Sequence, residues 1–118
     1  MLGAESDEQR RHGADDAFAV GLHGAGATLT VVISGKVDVT NADDLAATLM
    51  RALAGRPGKL VVDLAGVTSF GSAGVRCLLE VNAWARGAGV HFLVSRPSTV
   101  VEEIVETTGV GNVLTFER

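Results

Sequence analysis

Ser72 is the residue on which chemistry is most readily written, because Ser69-Phe70-Gly71-Ser72-Ala73-Gly74-Val75 sets a hydroxyl among small neighbours where a helix is expected to begin. The first turn of a helix offers backbone N–H groups without intrahelical acceptors and the positive end of the macrodipole. A serine there can cap the helix, a role worth about 1 kcal/mol. It can equally carry a phosphoryl group, which adds roughly −1.5 to −2 charge at an end that tolerates anions. Gly71, Ala73 and Gly74 would leave the hydroxyl open to a kinase. Other reactive types are less well placed. His12, His23 and His91 are scattered over an arm, a hairpin loop and a strand, which is not metal-ligand spacing. Cys77 reads as a buried thiol with no base nearby in sequence. Asp43-Asp44 reads as a charge cluster at a helix start. Gly55–Lys59 has the wrong spacing for a phosphate loop and precedes a strand instead of following one, and Gly24 with Gly26 is followed by a strand, not the helix a dinucleotide fingerprint requires. No catalytic constellation assembles and no cofactor is implied, so the chain reads as a non-enzyme.

The elements that must position Ser72 follow from periodicity. Ala17–Val20 and the β-branched run Thr28–Ser34 read as two strands of a hairpin, with Gly21–Gly26 between them and Gly35 as the stop. Asn41 is a good N-cap for a helix carrying Ala42, Leu45, Leu49, Ala52 and Leu53, ended by Gly55 and Pro57. Lys59–Leu64 is a continuous apolar strand, the pattern of one buried on both faces. A loop, Ala65–Gly71, leads into a helix from Ser72 to Arg86 with Val75, Leu78, Leu79 and Val81 as its stripe, extended by Ala83 and Trp84, and Gly87 as its end. Val90–Val94 is a further strand. Pro97 opens a helix over Ser98–Thr107 with Val100, Val101, Ile104 and Val105 inward, and Val113–Phe116 is the last strand. Strands and helices alternate after the hairpin. The fold class is therefore α/β, a mixed and mostly parallel sheet with helices packed against it.

The chain has 118 residues, which allows one core, expected over residues 17–118, after a polar, charged and aperiodic arm at 1–16. Hydrophobic residues make up 47% and charged residues 20%, an ordinary globular balance. The net charge of −4 argues against nucleic acid and anionic membrane as partners, since both require a basic face. One cysteine excludes an internal disulfide and fits a reducing compartment. The N-terminus lacks the apolar core of a secretory signal, and no apolar run is long enough to span a bilayer. The expected location is the cytoplasm.

The stretch Val61-Val62-Asp63-Leu64, followed by Ser69 to Val75, resembles the signature of STAS domains, the family of bacterial anti-sigma factor antagonists. That signature runs from a strand ending in Asp-Leu, through an aromatic or apolar pair, to Asp-Ser-Ser-Gly-Leu. Ser34-Gly35-Lys36-Val37-Asp38 is similar to the family's Gly-Glu-Leu-Asp, and Asn41-Ala42-Asp43-Asp44-Leu45 follows at the usual distance. Thr108 to Leu114 looks like the family's last turn. The resemblance covers residues 17 to 117. Two positions depart from it: Gly71 stands where the family has Asp, and Ala73 where it has a second Ser.

The resemblance implies a STAS-like fold and a role in transcription regulation, for instance in a stress response. Ser72 falls on the phosphoacceptor, and the partner is a serine-kinase-type anti-sigma factor that supplies the ATP. The partner-binding rim would comprise Asp38, Asn41, Gly71, Ser72, Ala73, Gly74, Val75 and Arg76. Asp38 reads equally as a turn residue bonding its own backbone. The assembly expected is a monomer or a weak homodimer. The rival reading is a STAS-type scaffold subunit without a phosphate cycle, which Gly71 favours. A nucleotide- or anion-binding module at the start of the Ser72 helix is the third.

Overall fold

The computed structural model describes residues 17–117, so the arm expected at 1–16 lies outside the described residues. Five strands and three helices alternate. They are β1 (Ala19–Ala25), β2 (Thr28–Val37), α1 (Ala42–Ala54), β3 (Lys59–Phe70), α2 (Ser72–Ala88), β4 (His91–Ser95), α3 (Thr99–Thr108) and β5 (Phe116–Glu117), with a 3-10 turn at Val110–Asn112 before the last strand. The sheet order is the chain order, β1-β2-β3-β4-β5. β1 and β2 are antiparallel, and every later pair is parallel. The expected α/β class with its mixed, mostly parallel sheet is what the chain adopts.

Right-handed crossovers between parallel strands that advance in one direction put each helix on the same face of the sheet. The core is accordingly a single layer between sheet and helices. Ile33 of β2, Leu60, Val62 and Leu64 of β3 and Val94 of β4 meet Leu45 and Leu49 of α1, Leu78 and Val81 of α2, and Val101 of α3, all 1% exposed or less. The strand residues alternate, as a period of two requires. Val61 and Leu93 occupy the opposite register, face each other across β3 and β4, and are also buried, at 8% and 4%. The expectation that β3 is buried on both faces therefore holds at its centre.

Several boundaries differ from those the sequence suggests. Gly21–Ala25 is strand, not loop: β1 pairs through to Ala25↔Thr28, so the turn is only Gly26-Ala27, with Gly26 at φ 62. Such two-residue hairpin turns need left-handed backbone, which glycine adopts without strain. β2 passes Gly35 to Val37, and β3 runs through the expected loop 65–71 as far as Phe70 because it keeps pairing with β2 across two irregularities. Gly87 lies inside α2; the helix stops at Gly89, whose φ of 72 makes it the left-handed cap. Val113 and Leu114 follow the 3-10 turn outside any strand, because Val113 and Leu114 donate their N–H groups back to the Val110 carbonyl.

Candidate functional site

β2 and β3 end side by side. Their last register pair is Val37↔Phe70, so the residues that follow, Asp38 on one chain segment and Gly71-Ser72 on the other, leave adjacent strands at one end of the sheet. Neighbouring strands lie about 4.8 Å apart. The juxtaposition of Asp38 and Ser72 is thus a consequence of register.

Ser72 is the first residue of α2 and is exposed. The N-cap is Gly71, in extended backbone (φ −107, ψ −166), and no side chain caps the helix. The Gly71 carbonyl accepts the N–H groups of Gly74 (3.0 Å) and Val75 (3.2 Å). The Ser72 hydroxyl does not serve as a cap, because it sits one position too far along the chain. It remains at a helix end whose first-turn N–H groups have no intrahelical acceptor. A β-carbon on Gly71 would meet nothing within 4 Å. The space that a larger residue would fill beside Ser72 is open.

Asp38 and Asn41 build the opposing turn. Asp38 Oδ1 accepts the Thr40 N–H at 2.9 Å and the Thr40 hydroxyl. Asn41 Oδ1 accepts the Asp38 N–H at 3.0 Å, and Asn41 Nδ2 donates to the Lys36 carbonyl at 2.9 Å. Asn41 occupies the N-cap position of α1 but makes no cap bond to the helix; its amide is turned back to fasten the turn to the end of β2. The Thr40 hydroxyl and N–H, with the Asn41 backbone and Lys36 adding to them, hold the Asp38 carboxyl below its ordinary value. Hydrogen bonds to the charged form favour it.

A cleft of about 170 Å³ opens beside this rim between the first turns of α1 and α2, lined by Val39, Asp43, Ala73, Arg76, Cys77 and Glu80 among others. Arg76 is exposed, as its position off the apolar stripe suggests, and shares the cleft with the carboxylates of Asp43 and Glu80. Cys77 is 3% exposed, and burial together with Glu80 and Asp43 pushes its thiol up to about 12. It is not a nucleophile at neutral pH.

The structure gathers Asp38, Asn41, Gly71, Ser72, Ala73 and Arg76 at one end of the molecule. Gly74 and Val75 are different: both are buried, Val75 at 7%, so they support the turn from within and present no side chain to a partner. Gly74 does not keep the hydroxyl uncovered; it makes room for the ring of Phe70. Val39, 80% exposed, was not singled out by sequence. The available signal was an aliphatic residue set between Asp38 and Thr40 in a polar turn. His23 and His91 are exposed on β1 and β4, and His12 lies outside the described residues. Among the described residues no group of three His, Cys, Asp or Glu is placed to hold a metal, and no helix is long and apolar enough to cross a membrane.

Residues 20–115 match the family model described as Mlab, STAS domain. Among solved structures, an anti-sigma factor antagonist from Mycobacterium paratuberculosis superposes with a TM-score of 0.77 at 23% identity, over 86% of each chain. The anti-sigma factor antagonist SpoIIAA in its unphosphorylated form gives 0.69 at 16% identity, over 86% of this chain and 89% of that one. The Bacillus cell fate determinant SpoIIAA in its phosphorylated form gives 0.65 at 16% identity, over 86% and 92%. At these identities the likeness is one of fold. No functionally curated protein matches the sequence.

Proposed function

The chain belongs to the STAS domain family, and from that premise we propose that it is an anti-sigma factor antagonist whose docking rim is switched by phosphate on Ser72. The observation that carries this reading is the exposed, non-capping hydroxyl at the first residue of α2, beside the Asp38 turn. One structural relative has been solved in both unphosphorylated and phosphorylated forms, which supports a phosphate cycle on this fold.

Unmodified, the rim of Asp38, Asn41, Gly71, Ser72, Ala73 and Arg76, joined by Val39, docks on a serine-kinase-type anti-sigma factor and frees the sigma factor. Val39 supplies an apolar anchor, and Asp43 and Glu80 supply the acidic wall of the adjoining cleft. Phosphate on Ser72 adds negative charge and bulk to this rim. A closely packed interface is then weakened by like-charge and desolvation terms. The protein itself binds no cofactor and works in the cytoplasm.

The test is calorimetric titration of wild type, Ser72→Ala and Ser72→Asp into the kinase-type anti-sigma factors of the same organism. Wild type and Ser72→Ala should bind alike, and Ser72→Asp at least roughly tenfold more weakly, a difference of about 1.4 kcal/mol. Equal affinity of all three removes the switch.

A second reading, a STAS scaffold subunit without a phosphate cycle, is favoured by Gly71. Nothing in the fold forbids a side chain there, since its φ is negative and the space is open. Incubation with the candidate kinases and ATP, read by intact mass, separates the two: an unmodified Ser72 leaves the scaffold.

A further inference from the structure

At the other end of α2, twelve residues and roughly 18 Å from Ser72 at 1.5 Å per residue, an apolar groove lies between the C-terminal ends of α1 and α2. Two adjoining clefts of about 520 and 410 Å³ share Arg56, Trp84 and Ala88, with Met50, Leu53 and Ala54 completing the larger one. Trp84 is 63% exposed there, so it and the exposed Ala83 do not extend the buried stripe of α2 as their spacing suggests. No carboxylate lines either cleft. Arg56 is held at φ 51, a left-handed conformation that disfavours a side chain. The other such residue, Arg96 at φ 50, has its charge paired with Asp63 at 3.5 Å. Arg56 has no ion pair among the described residues, is exposed, and is the one charged residue lining the groove.

The complementary surface is on the same chain. Glu103 and Glu106, one turn apart on α3, are exposed and line a cleft of about 430 Å³ with Glu102. Val113, just beyond that cleft's Asn112 in sequence, stands 48% exposed as an apolar knob. A two-fold dimer with groove packed on groove would instead bring two cations and no carboxylate together.

We propose that the Trp84–Arg56 groove of one copy receives the exposed acidic Glu103–Glu106 face of α3 and Val113 of a second copy. Groove and acidic face are different patches, so reciprocal contacts about a two-fold axis close as a dimer, and any other arrangement leaves one of each free and continues past the dimer unless a ring closes. The contact does not depend on the Ser72 reading, and it leaves that rim uncovered.

Sedimentation of the full chain over rising concentration tests it, with Trp84 emission recorded in parallel, since this is the sole tryptophan. The expected mass rises to a dimer or beyond, falls back in high salt, and follows a blue shift of the emission along the same isotherm. Arg56→Gly removes the guanidinium and also relieves the backbone, so its fold is safe; it should associate at least roughly tenfold more weakly. Glu103→Ala with Glu106→Ala should do the same from the other side. An equimolar mixture of the two variants should form a dimer and nothing larger, because each retains one intact half. A monomer at every concentration overturns the proposal. So does association that survives in either variant, or a mixture that stays monomeric.

Discussion

The ring of Phe70 occupies the place where a side chain on Gly74 would stand: a β-carbon there would lie 2.6 Å from Phe70 Cε1. Phe70 is the last residue of β3 and is 7% exposed, and Gly74 is in the first turn of α2. The pair locks the corner that carries Ser72. The strand's final side chain closes under the helix it precedes, and the helix approaches because it has no β-carbon at that point.

Gly74→Ala therefore sets two effects against each other. Alanine gains about 1 kcal/mol of helix propensity, while overpacking against a core ring costs about 1–3 kcal/mol. The net expectation is a loss of about 1 kcal/mol in urea unfolding, with chemical-shift changes concentrated at Gly71–Ala73.

Ser72→Ala tests whether the hydroxyl has any structural duty. Since it does not cap α2, the change should move stability by less than about 0.5 kcal/mol. A loss near 1 kcal/mol in thermal or urea unfolding would mean that the hydroxyl caps the helix in solution.

Gly71→Asp places a carboxylate at the N-cap, in open space and at the positive end of α2. The expected gain is about 0.5 kcal/mol, from a cap bond and the helix dipole together. Under the phosphate-switch reading, the same variant should also be phosphorylated faster on Ser72 by the cognate kinase, measured by intact mass.

Asp38 gives a pH signature with a definite sign. Its folded pKa lies below the ordinary 3.8, so its hydrogen bonds to Thr40 stabilise the native state fully above that value. They are lost as pH falls through the lower folded value. Asp38→Ala should lower the urea midpoint at neutral pH, and the difference from wild type should close in acid. A difference that persists unchanged below pH 3.8 would assign the effect to packing.

Much of this fold is legible in the sequence, because the periodicities of two and of 3.6 are clean in the core strands and helices. The glycines are where reading fails. Gly26, Gly89 and Gly109 terminate elements and have positive φ, whereas Gly21, Gly66 and Gly87 lie inside a strand or a helix. A glycine in the sequence does not say which conformation it takes; the neighbours it pairs with decide that. The extension of β3 through Ala65–Phe70 is a tertiary effect of β2 lying alongside. At the site, Ser72 and Asp38 were legible as positions. The family resemblance put them on one rim, but the Val37↔Phe70 register that sets them side by side cannot be read from periodicity. Val39 escaped because one aliphatic residue in a turn carries no period.

The overhang of β3 has a thermodynamic consequence. β4 accompanies β3 only to Asp63, yet β3 continues to Phe70 paired with β2 across two register shifts. The segment leading to Ser72 is thereby frozen during folding and not at the moment of encounter. Immobilising a backbone residue costs about 1–2 kcal/mol, so a flexible approach of that length would tax every encounter heavily. Here that entropy has already been surrendered, and recognition at Ser72 should proceed with little change in chain order. Such an association would have a small heat-capacity change, set by the contacting surfaces alone.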